Sequence, residues 1–416
     1  LHSFPTRRSS DLVEEAAFLW LLRSNAIRQP HYALKDLAKL DDRVEAHVDG
    51  LRVAGEPGWD LCKAALGNEE NGEVFAASVM AFESNIELRI KAVLDAVQKT
   101  PELSKGLISA LGWMSFQQAA PHAQRLLAAE SPLQRLVGLA AYVVHRQDPG
   151  PSLNDSLASA DLSLRARALK AVGELGKSTL LPFVKSNLAV EDVICRYWAA
   201  CSGALLGEPA AIPVLQHLAE SEHAKRETAC AMALRRMSVQ EGQAWLNVLA
   251  SRPESLRLAV QAAGVIGDPV NIPWLLQQMV NQAMARVAGE SFTYITGIDL
   301  AYDNLDADKP EGFEAGPTED PEDENVAMDA DEDLPWPDLH LIEKWWSHNK
   351  SRFTNGTRYL CGHPMTIESL NQVLRTGKQR QRTSAAIELA IRQPGTPLFN
   401  TSAPGFRQQA LLGLKG

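Results

Sequence analysis

The 416 residues are 45% hydrophobic and 6% aromatic, and they carry a net charge of −10 at pH 7. No apolar run approaches the roughly 18 residues that read as a bilayer-spanning helix, so no membrane association is expected. Sixteen acidic residues and one basic residue fall within positions 299–338. The rest of the chain is therefore close to neutral, which argues against nucleic acid as a partner, since nucleic-acid binders show a clustered basic face.

Ala and Leu are abundant and aromatics scarce, a balance that favours helices over strands. Five cysteines with no CxxC pair suit reduced, mostly buried thiols and a cytoplasmic location. In chain order, residues 1–12 are set aside. The twin arginines Arg7 and Arg8 are followed by Asp11, Glu14 and Glu15, and the apolar stretch after them is too short for an export signal. Residues 2–11 can be encoded by a run that looks like a short-read sequencing adapter. Residues 13–100 read as an N-terminal helical cap, with a first helix near residues 13–23, followed by divergent repeats.

From 101 to 297 a period of about thirty residues is plain. "LRARALKAVGELGKSTLLPFV" (164–184) returns as "CRYWAACSGALLGEPAAIPVL" (195–215) and "LRLAVQAAGVIGDPVNIPWLL" (256–276). A basic residue recurs at Lys105, Arg135, Arg165, Arg196, Arg226, Arg257 and Arg286, never more than 31 residues apart. Each unit predicts two helices. The first ends at Gly176, Gly207, Gly267 or Gly297, where a left-handed turn suits glycine. The second opens near Pro182, Pro213 or Pro273, because a first helical turn tolerates a missing N–H. One such pair cannot bury both faces, whereas stacked copies can.

The core "LR..AL.A.GELG......P" resembles HEAT repeats of the phycobilisome-lyase type. That resemblance implies an all-α fold, a right-handed α-solenoid of HEAT-like helix pairs (an ARM-type superhelix). In such arrays second helices generally line the concave side, where Ser186, His217, Asn247 and Gln277 share one slot as candidate partner-binding residues. Arg165, Arg196, Arg226 and Arg257 read as a structural ladder: Asp161, Asp192 and Glu222 stand four residues before the first three, placed to pair with them one turn on.

Residues 298–338 are acidic and rich in Pro and Gly, a composition that cannot bury enough apolar surface to fold alone, so a disordered, flexible insert is expected. It reads either as a tether for a basic partner or as a solvated loop. Asp329, Asp331 and Asp333 imitate the start of a calcium loop, but Leu334 stands where the sharp turn needs glycine and His340 where the bidentate Glu belongs. Residues 339–416 read as a C-terminal helical repeat and cap. Trp336, Trp345, Trp346, Phe353 and Tyr359 gather around its start, and such anchors either close a core or serve as binding hot spots; Trp336 is a further candidate for partner binding.

The segments "EEAAFLWLLRSNAI", "ARVAGESFTYITGIDL", "DLPWPDLHLIEKWW" and "RQRTSAAIELAIRQPGTPLFNTSAPGFRQQALLG" together resemble a family of bacterial HEAT-repeat proteins often encoded near type VI secretion genes. The resemblance runs from Glu14 almost to the end of the chain and supplies no catalytic residue. It implies a cytoplasmic partner-binding role, with a secretion component or cargo as the protein partner. Chemistry is otherwise silent: there is no His-Glu dipeptide for a di-iron site on repeat helices, no phosphate loop and no nucleophile elbow. No cofactor or metal is expected. The reading is a non-enzymatic protein–protein interaction scaffold or adaptor; the alternative is a HEAT-repeat enzyme, metal-dependent or lyase-like, with a site assembled across repeats.

Overall fold

The computed structural model of the chain describes residues 6–316 and 328–414, with side chains from position 11. The described residues form twenty-two α-helices and only four two-residue strands, so the protein is all-α. None of these helices is long and apolar enough to cross a membrane. The chain divides into two compact units, one of Leu1–Leu206 with Gln393–Gly416 and one of Gly207–Arg392.

In the first unit α1 (Thr6–Ala26), α2 (Leu34–Ala54) and α3 (Glu56–Ala65) precede the pairs α4 (Asn71–Ser84) and α5 (Glu87–Lys99), α6 (Ser104–Trp113) and α7 (Phe116–Leu127), and α8 (Pro132–Val144) and α9 (Ser152–Leu157). Helices α10 (Leu162–Glu174), α11 (Leu181–Ser186) and α12 (Val193–Leu206) follow. The first helices of successive pairs lie against one another in chain order, α4 on α6, α6 on α8, α8 on α10 and α10 on α12. Helix α1, expected over residues 13–23, runs further at both ends and begins within the segment set aside.

The second unit holds α13 (Ala211–Glu220), α14 (Arg226–Arg236), α15 (Val239–Ala250), α16 (Leu256–Ile266), α17 (Ile272–Gln278) and α18 (Gln282–Thr296). Beyond them come α19 (Leu339–Asn349), α20 (Ile367–Thr376) and α21 (Gln379–Arg392). Here too the first helices follow one another, α14 on α16 and α16 on α18. Strand β1 (Asp306–Ala307) pairs antiparallel with β2 (Trp336–Pro337), and β3 (Tyr359–Leu360) with β4 (His363–Pro364).

The thirty-residue period has one packing cause visible in both units. A Cβ on Gly173 would stand 2.5 Å from Ser202 Oγ, and one on Gly264 would stand 3.0 Å from Ser291 Oγ. The missing side chain lets each pair of helices close up until the serine hydroxyl donates to a carbonyl of the preceding helix, Ser202 to Leu169 O at 2.6 Å and Ser291 to Val260 O at 2.8 Å. Around these contacts Leu169, Ala171, Val172, Val260 and Ala263 are fully buried, each large aliphatic side chain contributing about 2 kcal/mol by leaving water. The helix-end glycines Gly176, Gly207, Gly267 and Gly297 all have positive φ, between 65° and 87°, which matches the sequence expectation.

Residues 339–416, expected as one C-terminal repeat and cap, instead divide between the units at Gln393. The reason is the last four carbonyls of each helix, which have no partner within the helix. In the second unit, Tyr359 N–H donates to Gly267 O at 2.8 Å, and Cys361 N–H to Tyr294 O at 2.7 Å. In the first unit, the irregular tail leading into α22 (Gly405–Leu411), together with α22 itself, does the same work. Leu398 N–H donates to Glu174 O and Asn400 Nδ2 to Val144 O, both at 2.9 Å, while Arg407 donates to Gly112 O and Met114 O. The tail thus caps the C-terminal ends of α6, α8 and α10 rather than adding a further repeat.

Candidate functional site

The acidic segment, expected as a flexible insert, is held at Asp329 and Asp331 by two arginines of the basic slot in the second unit, Arg257 of the ladder and Arg286. Arg257 lies in the first turn of α16 and Arg286 near the start of α18. Arg257 donates both terminal nitrogens to Asp331, Nη1 to Oδ2 at 2.7 Å and Nη2 to Oδ1 at 2.6 Å. Arg286 does the same to Asp329 at 2.7 and 3.0 Å. Two-pronged arginine–carboxylate pairs combine charge with a fixed planar geometry. The two aspartates are two residues apart and their receiving arginines sit on neighbouring first helices. Asp331 N–H donates to Asp329 Oδ1 at 3.0 Å, which holds the two carboxylates in register.

Aromatic rings close the arrangement. Pairing of β1 with β2 presents Trp336, whose ring lies 4.6 Å from the Arg286 guanidinium, and Phe313 faces the same cation at 5.3 Å. The two rings meet edge to face at 4.7 Å. Burial works against ionisation of Asp329, but the Arg286 fork, the Asp331 N–H and the charges of Arg286 and Arg257 outweigh it and hold the carboxyl below its ordinary range. Behind this layer Glu290 of α18 accepts from Arg380 at 2.8 Å. Residues 317–327, the centre of the acidic segment, lie outside the described residues.

The other rungs of the ladder differ from expectation. Asp161 accepts from Leu164 N–H at 2.8 Å and Asp192 from Cys195 N–H at 2.7 Å, so both cap helix starts. Their arginines turn to carbonyls: Arg165 donates to Ser159 O, Arg196 to Val190 O and Arg226 to Ala219 O. An unpaired helix N–H lies nearer to the aspartate than the arginine head does, and the long arginine reaches the carbonyls that end the preceding segment.

Of the candidate partner residues, Ser186 of the first unit and His217, Asn247 and Gln277 of the second are all exposed, while the apolar residues beside them, Val184, Leu215, Trp245 and Leu275, are buried. Ser186 Oγ donates to Phe183 O within its own helix, and Asn247 accepts from Gln243. Trp336 is half-buried against Arg286. The neighbouring aromatics pack similarly, Trp345 on Phe292 at 5.7 Å and Phe353 between Trp346 and Tyr359.

The five cysteines are free thiols, and burial pushes Cys62, Cys230 and Cys361 up to about 12, far from nucleophilic at neutral pH. Among the described residues no group of three or more His, Cys, Asp or Glu is placed to hold a metal ion. Sequence reasoning missed Asp329 and Asp331 as partners of the ladder. Their i, i+2 spacing, weighed as a calcium loop, is also that of an Asx turn, in which Asp331 N–H donates to Asp329 Oδ1. A scan against models of protein families finds no match for the chain, and no solved structure matches it.

Proposed function

We propose that the chain is a right-handed α-solenoid of HEAT-like helix pairs that acts as a non-enzymatic scaffold, holding a short acidic turn of a protein partner on the basic slot of successive repeats. The observation that carries this reading is the pair of forks from Arg257 and Arg286 to Asp331 and Asp329. A tight turn, closed by Asp331 N–H on Asp329 Oδ1 and Leu334 N–H on Asp331 O, presents the two carboxylates to two neighbouring first helices, and a partner with the same Asp-x-Asp spacing and a following aromatic would meet the same donors. The chain's own acidic segment then competes with the partner at the millimolar effective concentration typical of a tethered ligand. It selects partners that bring more contacts than it does itself. Exposed His217, Asn247 and Gln277 offer polar contacts for that excess. Buried, free thiols suit a cytoplasmic setting, and the resemblance to HEAT-repeat proteins encoded near type VI secretion genes makes components of that machinery the first partners to test.

The test uses a fluorescent peptide of residues 328–337, MDADEDLPWP, followed by anisotropy. The variant Asp329→Asn/Asp331→Asn, whose own segment no longer holds the forks, is expected to bind the peptide at least about tenfold more tightly than the unaltered chain, the worth of one charge-assisted hydrogen bond. Adding Arg257→Gln and Arg286→Gln should abolish the gain. Equal binding by all three proteins would sink the reading.

A further inference from the structure

The first unit contains a cleft of about 440 Å³, within the usual size range of small-molecule sites. Six cations line it: Arg23, Lys105, Arg146, Arg167, Lys170 and Arg407. Two carboxylates answer them. Glu174 accepts from Arg167 at 2.9 Å and lies 3.8 Å from Arg146 and 3.9 Å from Lys170, while Asp41 takes Arg23 at 2.8 Å. The chain therefore gathers a surplus of positive charge into one partly enclosed space, although the sequence surrounding it is near neutral.

Burial disfavours the charged form of two of these groups. Burial, followed by the Arg23 charge, pushes Arg407 down to about 10, and burial with the neighbouring Arg28 lowers Lys105. Like charges held together without counter-charge are costly unless an anion completes the set.

The free donors indicate which anion. Three of the guanidinium groups are committed to backbone carbonyls that join the tail to the helices: Arg23 donates to Ser402 O and Ala403 O and Arg146 to Leu398 O, while Arg407 of the tail donates to Gly112 O and Met114 O at the end of α6. Arg167 is committed to Glu174. These groups supply field, not an open planar fork. Lys105 makes no hydrogen bond or ion pair among the described residues; its Nζ lies 5.5 Å from the centre of the Trp20 ring. An unengaged ammonium in a field of fixed guanidinium charge suits the compact, multiply charged phosphate group, whereas a carboxylate reader would leave a fork open.

We propose that this cleft is a binding site for a small phosphate-bearing ligand, with Lys105 as the direct donor and the tail-anchored arginines as its electrostatic wall. The site is separate from the ladder of the second unit, and neither reading depends on the other.

The probe is inorganic pyrophosphate, titrated calorimetrically into the full chain, with citrate as a carboxylate of comparable charge and size. Lys105 is exposed, so Lys105→Gln should fold normally, and circular dichroism checks this. Lys170→Gln removes the other ammonium, and Lys63→Gln, an exposed lysine outside the cleft, is the control. Saturable pyrophosphate binding that weakens about tenfold in Lys105→Gln, weakens in Lys170→Gln, is unchanged in Lys63→Gln and exceeds citrate binding supports the site. Absence of saturation, citrate binding of equal strength, or equal effects of Lys105→Gln and Lys63→Gln would overturn it.

Discussion

Replacing Arg286 by Gln strips Asp329 of its fork and leaves two rings without their cation. The side chains of the pair are only 7% and 16% exposed, so the loss approaches that of breaking a buried pair, about 3 kcal/mol. Arg257, with 34% of its side chain exposed against 8% for Asp331, sits nearer the surface regime, and its loss should come to about 1–2 kcal/mol. The segment can peel away without unfolding α16 or α18, so the assay has to read local opening. Amide hydrogen exchange across residues 328–338 does so, because the segment's N–H groups are paired in the docked structure, Asp331 with Asp329 Oδ1 at 3.0 Å and Leu334 with Asp331 O at 2.8 Å. A loss of 3 kcal/mol accelerates exchange there by about a hundredfold. In a double-mutant cycle, Arg286→Gln with Asp329→Asn should be less costly than the sum of the single changes by about 2 kcal/mol. Additive effects, or a larger effect at Arg257 than at Arg286, would refute the reasoning.

At Gly297 the backbone has φ of 76°, and an added Cβ would stand 2.4 Å from the carbonyl carbon and oxygen of Cys361. Gly297→Ala should therefore cost about 3 kcal/mol, from a left-handed residue plus a backbone clash; a fall in melting temperature no larger than that of an exposed Ser-to-Ala change would contradict it. His145 is pushed down to about 4 by burial and by the Arg407 cation, against the pull of its contact with Leu111 O at 2.9 Å. The folded state therefore binds the proton less readily than the unfolded chain. The stability this contributes is complete above the ordinary pKa of 6.5 and is lost as the pH falls from there towards 4. Between pH 7.5 and 5 the unaltered chain should lose about 2 kcal/mol more than His145→Gln in urea unfolding, and parallel pH profiles would rule out the buried neutral imidazole.

What the sequence made legible is local. Gly176, Gly207, Gly267 and Gly297 announce helix ends because a left-handed turn is a property of single residues, and they take it. The basic slot is legible as a period because it recurs on each first helix from α6 to α18. Its partners are not, because Asp331 and Asp329 lie 74 and 43 residues along the chain from the arginines they meet, and nothing in local spacing joins them. Asp161 and Asp192 mislead for the opposite reason. Proximity to the arginines suggests ion pairs, but the helix N–H groups are nearer still. The cationic cleft is hidden by averaging, since its lining runs from Arg23 to Arg407 and the acids between them cancel it in any composition count. The tail that caps α6, α8 and α10 carries no periodic signal, because its hydrogen bonds are made to backbone carbonyls that any sequence supplies.

The most direct measurement is a crystal structure of the Asp329→Asn/Asp331→Asn chain with the 328–337 peptide bound. The account predicts the peptide's two aspartates, spaced as in the chain, each in a two-pronged contact with Arg286 and Arg257, and its tryptophan on the Arg286 guanidinium. A peptide seated anywhere else, with both arginines turned to other partners, would contradict it.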